Sequence, residues 1–414
     1  MRLLVTAVLI AITVALTGCG GGSSSEPAPS NLKVVAGDSS ATVIWDVDSS
    51  FEYWVWVNQG TTVDPLHCST CRVFVNVFPP YIVTPLANGT TYSVTVNARK
   101  EGGAGGAGSP AQTIVPRLAG ATWEAGAPLS ASNLLGVDFT SATTAGLSTI
   151  VEVGANGAAF WSLDGGTWNV ATTNVPGNLN AVHYSNGVFV VIGDSGAIIT
   201  SPDGSTWTPR AAPTTNALTA IAGNGQGHLV AVGRNGTVLQ SSDAGTWTAS
   251  NSGTPEDLYG VAFGNGRYVA VGAHGALVSS TDGTNWTPIA AVTGADLHGI
   301  TYGSLAATST TPAVARFIAV GTGGTVLTST DGLAWSVVGS LTDASLASVA
   351  FGTQFIAVGA GGAIFTSVDG LAWQPADSGT TTDLNAVAFT ILTAHAIGVG
   401  YAAVGDAGTN LTSF

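Results

Sequence analysis

The sequence predicts an all-β protein whose larger part is a seven-bladed β-propeller, a closed ring of four-stranded sheets. Three different sequence markers each occur seven times between residue 118 and the C-terminus. Each repeat is about 40 residues long, which is the length of one propeller blade. Within a repeat, four short runs rich in Val, Ile, Phe and Thr are separated by Gly, Asp and Asn, as is typical of strands joined by tight turns.

The first marker has the form SxDGxxW and stands whole in six places. Its aspartates and tryptophans are Asp164, Asp203, Asp243, Asp282, Asp331, Asp369, Trp168, Trp207, Trp247, Trp286, Trp335 and Trp373. The seventh copy is split, because residues 411–414 supply its front half and residues 120–123 supply its back half. Complementary halves at the two ends predict that residues 118–414 form one ring, closed by N- and C-terminal strands in a single blade.

The other two markers place the strands within each repeat. Runs similar to LxxVxF predict the innermost strand, and runs similar to VAVG predict the second strand. Five polar residues directly precede the innermost strands, and we expect them to surround one mouth of the central channel: Asn133, Asn178, Asp257, Asp296 and Asp383. They are either a rim that binds a polar or cationic partner, or caps of the turn that leads into each strand.

The SxDGxxW signature resembles the Asp-box, or BNR repeat, of sialidases and many other propellers. Asp can accept hydrogen bonds from turn amides, Gly permits a positive φ, and Trp can cover the gap between blades, so a structural role is expected for these residues. A sialidase-like enzyme would need three arginines that grip a carboxylate, and after Arg117 the chain has only Arg210, Arg234, Arg267 and Arg316. We therefore expect no catalytic residues, and keep carbohydrate binding or a sialidase-type glycoside hydrolase as the alternative.

The longer repeat GxxGxxxxSxDGxxW resembles the seven-bladed propellers of photosystem II assembly and stability factors, over about 70% of the chain. Those relatives bind intermediates of membrane proteins. The resemblance implies a rigid, non-catalytic platform that binds or scaffolds a protein partner, here an envelope or membrane protein. We expect the longer segments 140–148, 303–316 and 390–400 on the opposite face, and the loop with Pro312 and Arg316 is a second candidate surface.

The N-terminus carries a targeting segment. Residues 1–18 contain Arg2 and an apolar run that is too short for a stable membrane span, and they predict a signal peptide. The following tetrapeptide, Leu16-Thr17-Gly18-Cys19, resembles the bacterial lipobox, which implies lipidation of Cys19 and anchoring in the cell envelope. Gly20 after the cysteine resembles the pattern of outer-membrane sorting, with the exposed face left open. Residues 19–30 form a flexible tether.

Residues 31–117 predict a separate all-β domain. The segment 86–98 resembles a fibronectin type III module, which implies a β-sandwich with Tyr92 as its tyrosine corner. The aromatic run at 52–57 is either core with a packed neighbour or an exposed face for a glycan or protein. Cys68 and Cys71 predict a local disulfide in an oxidising compartment. His67 beside Cys68 lacks a second ligand pair, so no metal site is expected.

The charge balance limits the class of partner. The chain has 10 Lys and Arg against 24 Asp and Glu, a formal net charge of −14. Without a basic patch, nucleic-acid binding is not expected. An anionic lipid surface is not expected to attract the chain either, so membrane attachment depends on the lipid anchor. We expect a monomer without a cofactor.

Overall fold

A computed structural model of the chain describes residues 26–100, 105–140, 148–305, 313–391 and 399–413. The signal peptide, Cys19, most of the tether and the middle of each longer segment lie outside these residues. Across the described ranges the only helical elements are short 3₁₀ turns, so the all-β prediction is confirmed. In this part of the chain no helix is long and apolar enough to cross a membrane.

Two antiparallel sheets form the N-terminal domain. The first has the order β1-β2-β5 and the second β4-β3-β6-β7. The strands are β1 (Lys33–Gly37), β2 (Ser40–Ile44), β3 (Glu52–Gln59), β4 (Arg72–Val75), β5 (Tyr81–Val83), β6 (Tyr92–Arg99) and β7 (Gln112–Ile114). Alternate residues of β3 point inward, so Tyr53, Val55 and Val57 enter a core that Trp45 also fills, while Trp54 and Trp56 lie half-buried on the other face. A disulfide joins Cys68 to Cys71.

The remaining strands form seven four-stranded antiparallel sheets, which we number along the chain. The first strand after the N-terminal domain is β8 (Glu124–Ala125). Sheet 1 contains β9 (Leu134–Phe139), β10 (Ile150–Gly154), β11 (Ala159–Ser162) and β12 (Asn169–Val170), and sheet 2 contains β13 (Leu179–Ser185), β14 (Val188–Gly193), β15 (Ile198–Ser201) and β16 (Thr208–Pro209). Sheet 3 contains β17 (Leu218–Gly223), β18 (Leu229–Gly233), β19 (Thr237–Ser241) and β20 (Thr248–Asn251).

Sheets 4 to 6 repeat the same order of strands. Sheet 4 contains β21 (Leu258–Gly264), β22 (Arg267–Gly272), β23 (Leu277–Ser280) and β24 (Thr287–Ile289). Sheet 5 contains β25 (Leu297–Leu305), β26 (Val314–Gly321), β27 (Thr325–Ser329) and β28 (Ser336–Ser340), and sheet 6 contains β29 (Leu346–Phe351), β30 (Phe355–Gly359), β31 (Ile364–Ser367) and β32 (Gln374–Ala376). Sheet 7 consists of β33 (Leu384–Ile391), β34 (Val399–Gly405), β35 (Asn410–Ser413) and the early strand β8.

Sheet 7 joins the two ends of the repeat region. β35 pairs with β8 in antiparallel register, with Leu411 opposite Ala125. The split turn is held by the bonds found in the whole copies, since Gly120 N–H donates to Ser413 Oγ (2.8 Å) and Trp123 Nε1–H donates to the Gly120 carbonyl (3.1 Å). Each innermost strand contacts the next, and β33 contacts β9, so the series of sheets returns to its start.

The core of this region lies between neighbouring sheets. Each apolar cluster draws on two of them; Val151 and Val153 of sheet 1, for example, pack with Leu179, Val182 and Val191 of sheet 2. The second strands are the most deeply buried, as expected of strands covered on both faces. Burial of apolar side chains contributes about 25 cal/mol per Å². Because each sheet buries its faces only against its two neighbours, its stability depends on the whole ring.

Glu152 breaks this apolar pattern. It lies in β10 between Val137 and Phe160, at the position that Val191 occupies in sheet 2. Its side chain is 1% exposed, and its Oε2 has no hydrogen-bond partner in the described structure. Burial disfavours the carboxylate and raises the pKa of Glu152 well above its usual range. The protonated form is therefore the one that fits the seam between sheets 7 and 1.

The variant Glu152→Val is expected to raise the free energy of unfolding at neutral pH by about 1–3 kcal/mol, because it removes a buried polar group without a partner. The raised pKa means that the folded state holds a proton that the unfolded state releases. The wild type should thus lose stability as pH rises from about 4.5 towards the folded-state pKa. Urea unfolding between pH 4 and pH 8 measures this slope, which Glu152→Val and Glu152→Gln should both remove. A slope that persists in both variants contradicts the assignment.

Candidate functional site

The six Asp-box aspartates lie at the turns between third and fourth strands, each within its own turn. In sheet 3, Asp243 Oδ1 accepts the Ser241 hydroxyl (3.1 Å) and the N–H groups of Gly245 (2.8 Å) and Thr246 (2.7 Å). These backbone hydrogen bonds lower the pKa of Asp243 to about 2. The other five boxes have the same Ser–Asp bond and the same pair of bonds from the backbone.

The Asp-box tryptophans pack in the seams between sheets. Trp247 belongs to the cluster shared by sheets 2 and 3, and Trp286 to that of sheets 3 and 4. Five of the six indoles donate to the carbonyl three residues earlier, and the exception is Trp335, whose buried Nε1 has no partner in the described structure. Bonds of this kind stabilise the turns in which these residues lie.

The five predicted rim residues, Asn133, Asn178, Asp257, Asp296 and Asp383, lie together at one mouth of the ring, and each links two sheets. Its side-chain oxygen accepts the N–H of the middle residue in the turn between the second and third strands of the preceding sheet. Asp257 receives Asn235 N–H (2.8 Å) and Asp296 receives His274 N–H (2.7 Å). Asn178, Asp383 and Asn133 accept the equivalent bond, and that of Asn133 comes from Ala407, across the seam between sheets 7 and 1.

Inside this mouth, the innermost strands line a cavity of about 280 Å³ that runs through the centre of the ring. All seven strands contribute to its wall. The second residue of each innermost strand lines this cavity, and its type varies among the sheets. These residues are Leu135, Asn180, Thr219, Tyr259, His298, Ala347 and Asn385. Asn180 Nδ2 and Asn385 Nδ2 each donate to a carboxylate in a turn, at Asp194 (3.1 Å) and Asp406 (2.9 Å).

Three planar side chains from sheets 3, 4 and 5 stack along one side of the mouth. The Arg234 guanidinium lies 5.1 Å from the centre of the Tyr259 ring, and the Tyr259 and His298 rings lie 5.6 Å apart at 33°. Arg234 Nη1 donates to Asp257 Oδ2 (2.6 Å), and burial lowers the pKa of His298. The imidazole is thus mainly uncharged at neutral pH, while Ala347 of sheet 6 leaves room beside it.

Acidic residues predominate in the turns and connections on this side of the ring. They are Asp194, Glu256, Asp257, Asp296, Asp343, Asp377, Asp383 and Asp406. Arg210 and Arg234 are the only Lys or Arg residues in the same segments, so their formal charge is −6. His274 adds a weak positive group, because its bond to Glu256 Oε2 (2.9 Å) raises its pKa. An acidic mouth of this kind attracts cations and repels anions.

The five rim residues precede the innermost strands in the structure, whereas the stack of Arg234, Tyr259 and His298 was not expected from the sequence. A signal was present in the repeats themselves. When the seven copies are aligned on the Leu after the rim, the next residue is the variable one. A variable position between two constant ones indicates a side chain that the fold does not constrain. In the described ranges, no three His, Cys, Asp or Glu residues are grouped closely enough to hold a metal ion.

Comparisons with known proteins establish a β-propeller. A family model described as the DUF6242 beta propeller domain matches residues 149–259. The chain is similar to a solved structure of YCF48 bound to D1 peptide (TM-score 0.54, 19% identity, covering 70% of this chain and 94% of that chain). It is also similar to YCF48 from Cyanidioschyzon merolae (0.54, 20%, 71% and 98%) and to the WD40 beta propeller domain of Doa1 (0.51, 10%, 70% and 96%). No curated protein sequence matches the chain.

The rim bond should contribute measurably to stability. Asp296→Ala removes the acceptor of His274 N–H and is expected to cost about 1 kcal/mol in the free energy of unfolding. Asp296→Asn retains an acceptor oxygen and should change stability little, because Asn133 and Asn178 already fill equivalent positions. Asp343→Ala, on the same face but without a hydrogen bond in the described structure, is the control. Equal losses for Asp296→Ala and Asp343→Ala in urea unfolding would contradict the inference.

The Asp-box turns predict a stability loss in acid. Because the folded-state pKa of Asp243 lies below its value in the unfolded chain, the stabilisation is present above about pH 4 and is lost as pH falls towards 2. Asp243→Asn cannot titrate, so its melting temperature should fall less steeply than that of the wild type over this interval. Thermal melts recorded from pH 5 to pH 2 test this, and parallel curves would exclude a contribution from this carboxylate.

Proposed function

We propose that this protein is a non-catalytic binding protein of the cell envelope, which holds a cationic segment of a protein partner at the rim and the channel mouth that it surrounds. We also propose its detailed architecture: seven blades, one for each four-stranded sheet, preceded by a fibronectin type III-like domain. The sheet orders β1-β2-β5 and β4-β3-β6-β7 support the second point. The Tyr92 hydroxyl, which accepts Ala87 N–H (3.0 Å), has the bonding of a tyrosine corner.

The acidic mouth is the observation that carries the proposal. Eight carboxylates and two guanidiniums lie on the side of the ring where this channel opens, and the channel wall has uncharged amides, a hydroxyl, aromatic rings and two apolar side chains. A Lys or Arg side chain that enters this mouth meets a favourable potential, and its aliphatic part can lie beside the Tyr259 and His298 rings. An acidic segment meets the opposite potential. Electrostatic complementarity of this kind selects partners by charge and accelerates their association.

Two further observations support a protein as the partner. One similar propeller, YCF48, has been solved bound to a D1 peptide, so this fold can hold a polypeptide. In addition, the hydrogen bonds of the six Asp-box carboxylates lie within their own turns. We keep a glycan as the alternative ligand of the propeller, to be separated by the experiment below.

The proposed location rests on the N-terminal sequence alone. The tetrapeptide 16–19 supports lipidation of Cys19 and attachment to a membrane, with the outer membrane favoured by Gly20. The flexible tether would then let both folded domains reach a partner near the membrane surface. Radiolabelled palmitate incorporated by the wild type, and not by Cys19→Ala, is the expected result.

The proposed binding predicts a charge-dependent affinity. A fluorescently labelled peptide of ten residues with alternating Lys and Gly should bind the full chain, and the affinity should fall as salt rises from 20 to 200 mM. The Glu and Gly counterpart should not bind. The triple variant Asp257→Asn, Asp296→Asn, Asp383→Asn keeps the rim acceptors and removes three charges, so we expect affinity to drop about tenfold or more, equivalent to about 1.4 kcal/mol. Fluorescence anisotropy provides the measurement.

A second triple variant controls for net charge: Asp46→Asn, Asp48→Asn, Asp64→Asn removes three carboxylates from the N-terminal domain and should bind as the wild type does. Equal binding of the cationic peptide by wild type and rim variant would overturn the proposal. Oligosaccharides that quench tryptophan fluorescence, together with no peptide binding, would establish the glycan alternative instead. Crosslinking in cells followed by mass spectrometry would then identify the partner that the peptide represents.

A further inference from the structure

A second cavity lies on the same side of the ring but away from its axis, at the seam between sheets 1 and 2. Its volume is about 300 Å³ and it opens to solvent. The connection from sheet 1 to sheet 2 forms one wall, with Asn174, Val175 and Pro176, and the outer strand of sheet 2 forms another, with Pro209 and Arg210. Its walls thus combine apolar side chains with one guanidinium and, at Asp194, one carboxylate.

Comparison of the sheets shows that Arg210 occupies an unusual position. The backbone N–H of this residue donates to the carbonyl of Ile198 (2.8 Å), a bond that continues the pairing of the two outer strands. Five other sheets pair their two outer strands in the same register as sheet 2. At the position of Arg210 they have a short or apolar residue: Ala171, Ser250, Ile289, Ala376 and Gly126. Sheet 2 alone among these has a charged side chain there, and it is exposed. The repeat therefore needs no arginine at this position for folding.

Asn174 distinguishes the cavity wall from the equivalent position in other seams. It has a left-handed backbone (φ 56°) at the position where the seams before sheets 4 and 7 have Gly253 and Gly379. At Gly253, an added Cβ would come within 3.0 Å of Cγ of Pro288, the residue that corresponds to Pro209. A side chain at this position is therefore too close to a proline packed as it is in sheet 4. In this seam Asn174 and Pro209 both line the cavity.

The donors of Arg210 are only partly used. Its Nε–H donates to Thr200 Oγ1 (2.9 Å), which fixes the plane of the guanidinium. Its two Nη groups make no hydrogen bond or ion pair with any described residue. The nearby Asp194, also on the cavity wall, accepts Asn178 N–H (3.3 Å) and Asn180 Nδ2–H (3.1 Å) instead. A fixed guanidinium with free Nη donors matches the two oxygens of a carboxylate.

We propose that this cavity binds a monocarboxylate with a short apolar body, either a free acid or the C-terminus of a peptide. Arg210 binds the carboxylate, and Val175, Pro176 and Pro209 contact the apolar part. The volume is at the lower end of the range for ligand pockets, which limits the body to a few carbon atoms. The negative charge of Asp194 disfavours a second carboxylate on the ligand. The site is separate from the rim, so each of the two binding proposals can fail without the other.

Isothermal titration of the full chain with N-acetyl-L-valine tests the proposal. We expect binding of this acid and at least about tenfold weaker binding of N-acetyl-L-valinamide, which has the same body without the charge. N-acetyl-L-glutamate should also bind more weakly. 3-Methylbutanoate distinguishes the two sources: equal affinity indicates a free acid, and binding of N-acetyl-L-valine alone indicates a peptide terminus. Equal binding of acid and amide, or no binding of either acid, overturns the proposal.

Two variants locate the binding. Arg210→Ala adopts the residue already present in sheets 1 and 6, so it should fold normally and reduce the affinity for N-acetyl-L-valine about tenfold or more. Asn174→Gly adopts the glycine of the seams before sheets 4 and 7, removes one side chain from the cavity wall, and should weaken binding while Arg210 remains. Lys100→Gln removes one positive charge from the N-terminal domain, where the side chain is 66% exposed, and should have no effect. Unchanged affinity in Arg210→Ala would place the acid elsewhere and refute the site.

Discussion

The ring depends on one close contact that recurs at every seam. The last glycine of each VAVGxxG run ends the turn between the second and third strands and lies against the connection between its own sheet and the next. In sheet 1 this residue is Gly157, with φ 71°, and an added Cβ would collide with the carbonyl oxygen of Val175. The same collision arises at the corresponding glycine of every other sheet. A residue without a side chain at this point lets the connection cross the turn closely enough for the next sheet to pack.

The rim residues act within the same contact. Once the glycine allows the approach, an Asn or Asp on the next sheet can reach the left-handed turn and accept its N–H, as Asp296 does from His274. Where Ala217 or Ser345 takes the rim position, the side-chain bond is absent and the seam relies on packing and on the glycine contact. All five rim residues thus have a structural bond, and the three aspartates among them still carry their charge at the mouth. The two interpretations of the rim given by the sequence are compatible, since a carboxylate that caps a turn still contributes to the local potential.

The fold was largely predictable because its causes are local and repeated. The Asp-box turn and the VAVGxxG turn each follow from residues a few positions apart, and seven copies make each pattern unmistakable. The stack of Arg234, Tyr259 and His298 was not predictable in the same way, because its members come from three consecutive sheets and touch only when these sheets pack. The cavity beside Arg210 likewise has a wall at Asn174, which lies 36 positions earlier in the sequence. The side chains that would select a partner lie at positions where the repeats differ. Those differences appear only when the copies are compared with one another.

The pairing of β8 with β35 has a mechanical consequence. The N-terminal domain is connected to the ring only through the residues just before β8, which Ser413, Gln354 and the short two-pair ladder opposite Leu411 hold in place. A force that draws the N-terminal domain away from a partner bound to the ring would act on these few hydrogen bonds first, one after another. Loss of β8 would expose the unpaired edge of β35. The strand that completes sheet 7 is therefore also where tension between the two halves of the protein is concentrated.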